Sequence, residues 1–253
     1  MTIDKRPAVF YVNCALFDCD GTLVNSTGAI SEFWRDFAKT RPHVDPEEII
    51  KTSHGCRTFD VIAKWSPKDA EEKQVAKWEG DIPDTYGEFA RAIPGSVELI
   101  NSFEDYSRNK TANHQQRWCV VTSGTYPLAS KWLKLLKIKV PDCFITAEGV
   151  TKGKPHPQGY LAARERLGYG DKDKKVVVFE DAPSGISAGR AAGGLVVGIC
   201  STYDPEKVKN AGADIVVKDL TCVKIDSYNQ ETDELKIVVD DYFYAKDEFL
   251  ETV

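Results

Sequence analysis

Short, unbroken apolar runs rich in β-branched residues recur along this chain. In its second half they alternate with longer segments whose apolar positions repeat at helical spacing. The runs at 9–17, 118–122, 143–146, 175–179, 195–199 and 214–217 predict strands. Most are continuous rather than alternating, as expected of parallel strands buried on both faces. Segments 127–137, 158–167, 185–192 and 205–211 predict helices. Strand–helix alternation with short Gly-bearing links argues an α/β fold, a doubly wound, Rossmann-like parallel sheet.

One stretch breaks the alternation. Residues 26–92 carry no strand pattern, only amphipathic segments marked by Trp34, Phe37, Ile49, Ile50, Ile62, Trp65, Trp78 and Tyr86. This predicts a small α-helical cap inserted after the first strand and closed by Ile93-Pro94-Gly95. The chain then divides into a discontinuous core, 1–25 with 93–253, and a cap, 26–92. Open α/β sheets bind ligands outside the carboxyl ends of their strands, and the insertion would sit over that crevice. Residues 235–239 predict one more strand, and the remainder of 224–253 reads as an acidic, Tyr-rich, solvated tail.

Composition narrows the classes. A chain of 253 residues buries enough surface to fold without a disulfide or a metal. The longest uncharged runs, 118–130 and 191–203, have 13 residues each, against the ~20 that a membrane span needs. No targeting segment and no lipidation motif is expected from either end. Seven Cys without a C-x-x-C pair argue for reduced thiols and a cytoplasmic protein rather than a disulfide framework or zinc site. The net charge is −6, but residues 226–253 alone hold nine acids against Lys236 and Lys246. The rest of the chain is close to neutral and has no basic stripe, so a nucleic-acid partner is not expected.

Candidate chemistry clusters at predicted strand ends. The first strand runs into Phe17-Asp18-Cys19-Asp20-Gly21-Thr22, two carboxylates at i and i+2 followed by a glycine that permits a sharp turn. The strongly apolar run delivering them makes unpaired acids expensive without a metal or cations. A second strand ends in Thr122-Ser123-Gly124, whose hydroxyls and backbone amides suit an anion. Lys154 lies on a loop stiffened by Pro155 and Pro157, and a third strand ends in the acidic pair Glu180-Asp181. In a doubly wound sheet these ends converge on one crevice.

This order resembles the haloacid-dehalogenase-like phosphohydrolases. The resemblance implies Asp18 as nucleophile, Asp20 as general acid/base, Thr122 on the transferring phosphoryl oxygens, and Lys154 as charge balance. Phosphate would also meet Gly21, Ser123 and Gly124. Mg²⁺ would be held by Asp18, the main-chain carbonyl of Asp20 and Asp181, with Glu180 supporting the metal shell. Ser53-His54-Gly55-Cys56-Arg57-Thr58, Phe33-Trp34-Arg35-Asp36-Phe37 and the segments Tyr228-Asn229-Gln230-Glu231-Thr232-Asp233-Glu234 and Asp240-Asp241-Tyr242-Phe243-Tyr244 further resemble fungal glycerol-phosphate phosphatases. The related deoxyglucose-phosphate phosphatases share the S-H-G-x-R loop.

The expected reaction is therefore Mg²⁺-dependent hydrolysis of a small phosphate monoester by a monomer, with glycerol phosphate first. Such a role would serve glycerol biosynthesis under osmotic stress. Sugar-phosphate hydrolysis and a phosphomutase remain the enzyme alternatives, and a phospho-accepting signalling module the non-enzyme one. A signalling module would need neither Asp20 nor a cap. In that cap, His54, Gly55 and Arg57 are candidate substrate contacts, while Arg57 equally suits a salt bridge at a helix start. The segment 149–155 mimics a nucleotide P-loop, but its glycine spacing is one short and Pro155 replaces the Ser/Thr.

Overall fold

The architecture was taken from a computed structural model, which describes residues 6–110 and 115–250. A seven-stranded sheet forms the centre, in the order Tyr244–Ala245, Ile215–Val217, Leu195–Ile199, Val176–Glu180, Cys14–Phe17, Trp118–Val121, Phe144–Ile145. All neighbours are parallel except the edge pair, where Tyr244–Ala245 runs antiparallel to Ile215–Val217. The apolar runs form strands because both faces of the sheet are covered. Phe17, Trp118, Val120 and Phe179 pack into one apolar layer, and Leu16, Cys119, Val121 and Val178 into the other. Phe17 and Phe179 stack at 4.7 Å on adjacent strands.

Strand order creates the site. From the central strand Cys14–Phe17 the chain first builds outward on one side, through Trp118–Val121 and Phe144–Ile145. It then crosses to Val176–Glu180 on the other. The two halves diverge at the carboxyl end of Cys14–Phe17, the switch point at which open α/β sheets bind ligands. Register places Phe17 beside both Val120 and Phe179. Asp18, Thr122 and Glu180 consequently leave their strands at nearly the same height.

Between Val24–Asn25 and Arg91–Ala92, which pair antiparallel, the chain forms the helices Thr27–Lys39, Pro46–Thr52, Thr58–Trp65 and Glu72–Tyr86. The paired ends bring the entry and exit of this insertion together beside the central strand. Asp45 begins the second of these helices by accepting the backbone N–H groups of Glu47 and Glu48, with Pro46 at the first position. The aromatic positions at helical spacing pack together and are continuous with the apolar layer on one face of the sheet. Trp34 meets Phe37 edge to face, and Phe37 meets Trp78 likewise.

Two expectations are corrected. The run 9–17 is not one strand: Ala8–Val12 joins Glu234–Val239 and Val223–Asn229 in a separate three-stranded antiparallel sheet, and the chain changes sheets at Asn13. The buried Asn13 amide accepts from Lys175 N and donates to Asp233 O, each at 2.8 Å, so it satisfies backbone groups at the break.

The acidic C-terminal region is likewise not a free, solvated tail. Residues 223–239 form a hairpin, Tyr244–Ala245 caps the sheet edge, and Phe249 packs on Phe10. Asp233 neutralises Arg117, which is fully buried, and Lys246 pairs with the buried Asp214. The acids there carry specific partners that composition does not show.

Candidate active site

The sharp turn after Phe17 depends on Gly21. Its φ of +91° lies in the left-handed region, and a Cβ there would stand 2.1 Å from Asp181 Oδ2. The glycine thus lets two strand ends close around one point. Asp18, Glu180 and Asp181 are all buried, and each offers a carboxylate oxygen within 4.8 Å of the others. Lys154 crosses to them from its loop. Its Nζ donates to Asp18 Oδ1 at 2.5 Å, to Glu180 Oε1 at 2.7 Å and to Val121 O at 3.1 Å.

The electrostatics follow from burial. Desolvation pushes the Asp18 and Asp181 carboxyls up, with the neighbouring acids adding to it and Lys154 opposing. Burial works against charge on Lys154 as well, but Asp18 and Glu180 outweigh it and hold the ammonium protonated. Three buried carboxylates against one ammonium leave an excess of negative charge in an all-oxygen setting. Such a donor set fits a hard divalent cation.

The four acceptor positions of Glu180 are all engaged. Oε1 takes Lys154 and the Tyr160 hydroxyl, and Oε2 takes the N–H groups of Asp181 and Ala182. Glu180 therefore holds Lys154 and the Asp181 backbone in place.

Asp20 sits apart from that triad. Its Oδ1 accepts from the Ser26 hydroxyl at 2.6 Å, burial raises its pKa, and it lines a cavity with Asp18, Gly21, Thr122, Ser123 and Gly124. Cys19, between the two aspartates, is fully buried in the core. Thr122 Oγ1 accepts from Gly124 N at 3.0 Å, which leaves its proton for an incoming oxygen. The volume of the cavity is about 70 Å³, and the insertion helices wall its far side through Ile30, Trp34, Val61 and Glu79.

The insertion's loop residues divide. His54 and Gly55 line the cavity. The Gly55 carbonyl accepts the Ser123 hydroxyl at 2.8 Å, so Ser123 ties the insertion to the core. The His54 imidazole, edge-on to Tyr203, has its pKa lowered by burial and by Lys207. Arg57 does not line this cavity. Its guanidinium forms a bidentate pair with Asp60 and reaches across to Val150 O at 3.1 Å, which is the salt bridge at a helix start together with a strap onto the core.

Sequence reasoning missed Glu79. This carboxylate, 1% exposed, accepts from Thr125 N at 2.7 Å and from the Thr58 hydroxyl. One acid in an amphipathic helix gives no signal that it faces inward.

Residues 12–193 match the haloacid dehalogenase-like hydrolase family. This chain belongs to that family. Glycerol-1-phosphate phosphohydrolase 1 of Saccharomyces cerevisiae is 47% identical over 99% of both chains. The 2-deoxyglucose-6-phosphate phosphatase 2 of the same yeast is 40% identical over 87% of this chain and 93% of its own. Among solved structures, a hydrolase from Pseudomonas syringae shares the fold with a TM-score of 0.67 at 25% identity, covering 82% of this chain and 94% of that one. Among the described residues no helix is long and apolar enough to cross a membrane.

Proposed function

We propose that the protein is a Mg²⁺-dependent phosphatase that hydrolyses glycerol phosphate to glycerol and inorganic phosphate. The carrying observation is that Asp18, paired with Lys154, opens beside Asp20 and Thr122 onto a cavity walled by the insertion. Likeness over the whole chain to a glycerol-1-phosphate phosphohydrolase gives the alcohol.

In this reading Asp18 attacks phosphorus and forms an aspartyl-phosphate, splitting one very slow hydrolysis into two easier displacements. Lys154 and Thr122, with the amide of Ser123, hold the phosphoryl oxygens and offset charge as it develops, while the Gly124 amide orients the Thr122 hydroxyl. Asp20, held by Ser26, protonates the departing alkoxide and then takes a proton from water attacking the aspartyl-phosphate. Asp18, Asp181 and the main-chain carbonyl of Asp20 would hold the Mg²⁺, which when bound supplies further charge neutralisation for phosphate beside carboxylate. Glu180 positions Lys154 and Asp181. Residues 26–92 act as a cap over a core of 1–25 and 93–253, His54 and Gly55 forming part of its inner face. The protein works in the cytoplasm, as a monomer, in glycerol formation.

A phosphate-release screen over glycerol phosphates, deoxyhexose phosphates and hexose phosphates tests this. The highest kcat/KM should fall to a glycerol phosphate, with turnover lost on Mg²⁺ chelation. Preference for a deoxyhexose phosphate would move the chain to the second yeast relative's substrate. Turnover only in the presence of a bisphosphate primer would make it a mutase.

A further inference from the structure

Glu79 is the one carboxylate that the insertion contributes to the wall of the cavity onto which Asp18 and Thr122 open. Its position is fixed from both sides. Gly80 lets the helix Glu72–Tyr86 approach Pro127 so closely that a Cβ would lie 3.0 Å from that ring. Lys131 Nζ donates to Gly80 O at 2.6 Å and to Asp84 at 2.5 Å, fastening the same turn to the core. Thr125 N, at the start of the helix Tyr126–Leu135, donates to Glu79 Oε2, and the Thr58 hydroxyl to Oε1.

These are its only hydrogen-bond partners among the described residues. A carboxylate has about four acceptor positions, so those of Glu79 are not all filled, and it lines the cavity together with the apolar Ile30, Trp34, Val61 and Leu128 and the polar Thr27, Ser53 and Thr58. A buried acid with unfilled acceptor positions is costly unless something donates to it. A phosphate held at Asp18 and Lys154 directs its alcohol portion into this same cavity, and an alcohol bearing free hydroxyls brings donors.

We propose that Glu79 is a specificity-determining residue that accepts hydrogen bonds from the free hydroxyls of the substrate's polyol portion. This rests on the phosphatase reading above and adds the group that tells a polyol phosphate from a plain alkyl phosphate. Glu79 touches no reacting atom in this arrangement. It selects by what would be left unpaired when the hydroxyls are missing, the way a polar site rejects a deoxy analogue.

The test compares glycerol phosphate with n-propyl phosphate, which has the same carbon chain without the two hydroxyls. For wild type and Glu79→Gln, kcat/KM is measured on both esters at about pH 8, where the Glu79 carboxyl is ionised, alongside thermal melting. The wild type should favour glycerol phosphate, and the ratio of the two kcat/KM values should drop by ~10–100-fold in the variant, the range for a lost hydrogen bond to a charged acceptor. Glu79→Asp keeps the charge while retracting it by about one bond length. It should also lower the ratio, and it decides the matter if Glu79→Gln does not fold. A ratio equal to that of wild type, or equal losses on both esters, would overturn the proposal and leave Glu79 as a core-to-insertion tie. Failure of the phosphatase reading looks different: the wild-type enzyme would then release phosphate from neither ester.

Discussion

Lys154 Nζ lies 2.5 Å from Asp18 Oδ1, and the same ammonium reaches Glu180 and Val121, so one cation joins three adjacent strand ends. Removing it leaves two buried carboxylates facing each other. Lys154→Met should lower kcat by at least ~10²-fold, as loss of a group that stabilises transferring charge does. It should also destabilise the metal-free protein by ~3–5 kcal/mol. Mg²⁺ should then raise the variant's melting temperature more than that of wild type. A metal-free variant as stable as wild type would remove the charge-balancing role.

The Gly21 turn yields a prediction about metal affinity. Gly21→Ala would set a methyl 2.1 Å from Asp181 Oδ2, and the positive φ adds strain of its own. Asp181 must move. Titration calorimetry should show Mg²⁺ bound ~10–100-fold more weakly, the usual cost of misplacing a ligand's support, with an unchanged far-ultraviolet circular dichroism spectrum. Unaltered affinity would place the metal away from Asp181.

Glu79 predicts a pH dependence of stability. Burial raises its carboxyl to about 7 from an ordinary 4.5, the nearby Asp20 adding a little. Its charged form is thus less favourable folded than unfolded. The stability it contributes is complete below ~4.5 and is lost as pH rises through about 7. Glu79→Gln does not ionise. Relative to wild type, the variant should gain up to ~3 kcal/mol between about pH 5 and about pH 8. Denaturant melts at the two pH values give the difference, and a constant offset would show that Glu79 stays protonated or is solvated.

Arg117 predicts stability without chemistry. It is 0% exposed, paired to Asp233 at 2.5 Å, and bonded to the Tyr169 and Tyr228 hydroxyls beneath the sheet. Asp233→Ala removes a carboxylate paired with that buried guanidinium, at a cost of up to ~3–5 kcal/mol. At temperatures where the variant stays folded, KM for glycerol phosphate should hold. A changed KM with unchanged melting would tie the C-terminal hairpin to the site instead.

How much of this was legible in the sequence depends on where each signal arises. Asp18, Thr122, Lys154 and Asp181 announce themselves because each is a polar residue directly following, or in a stiff loop near, an apolar strand. The switch-point topology then brings them together. The insertion was readable from aromatic spacing alone. Asn13 was not, because a single amide inside an apolar run looks like an interruption until its partners, Lys175 and Asp233, arrive from distant segments. The acidic hairpin failed for the same reason: Arg117 lies 116 residues away from Asp233. Glu79 and Arg57 depend on how insertion and core dock. Neighbouring side chains set that, and local pattern does not.

The two aspartates of the first turn make the sharpest test, because the structure gives them different partners. Asp18 meets Lys154, whereas Asp20 meets Ser26 and faces the cavity. Asp18→Asn removes the proposed nucleophile and should abolish turnover of every phosphate ester. Asp20→Asn should retain most Mg²⁺ affinity, since only its main-chain carbonyl is assigned to the metal, while glycerol phosphate turnover falls by ~10²–10⁴-fold. An aryl phosphate departs without needing a proton, so its first displacement should suffer far less. Its second still requires Asp20 to activate water, so the aspartyl-phosphate on Asp18 should accumulate. Rapid-quench measurement of phenol release from Asp20→Asn should therefore show a burst near one equivalent followed by slow turnover. Ser26→Ala, which frees the Asp20 carboxylate without removing it, should shift the pH profile of glycerol phosphate hydrolysis and lower kcat by a smaller factor. If a folded, Mg²⁺-binding Asp20→Asn loses both substrates equally and shows no burst, the proton is carried by another group, and the hydrogen bond from Ser26 only braces the turn.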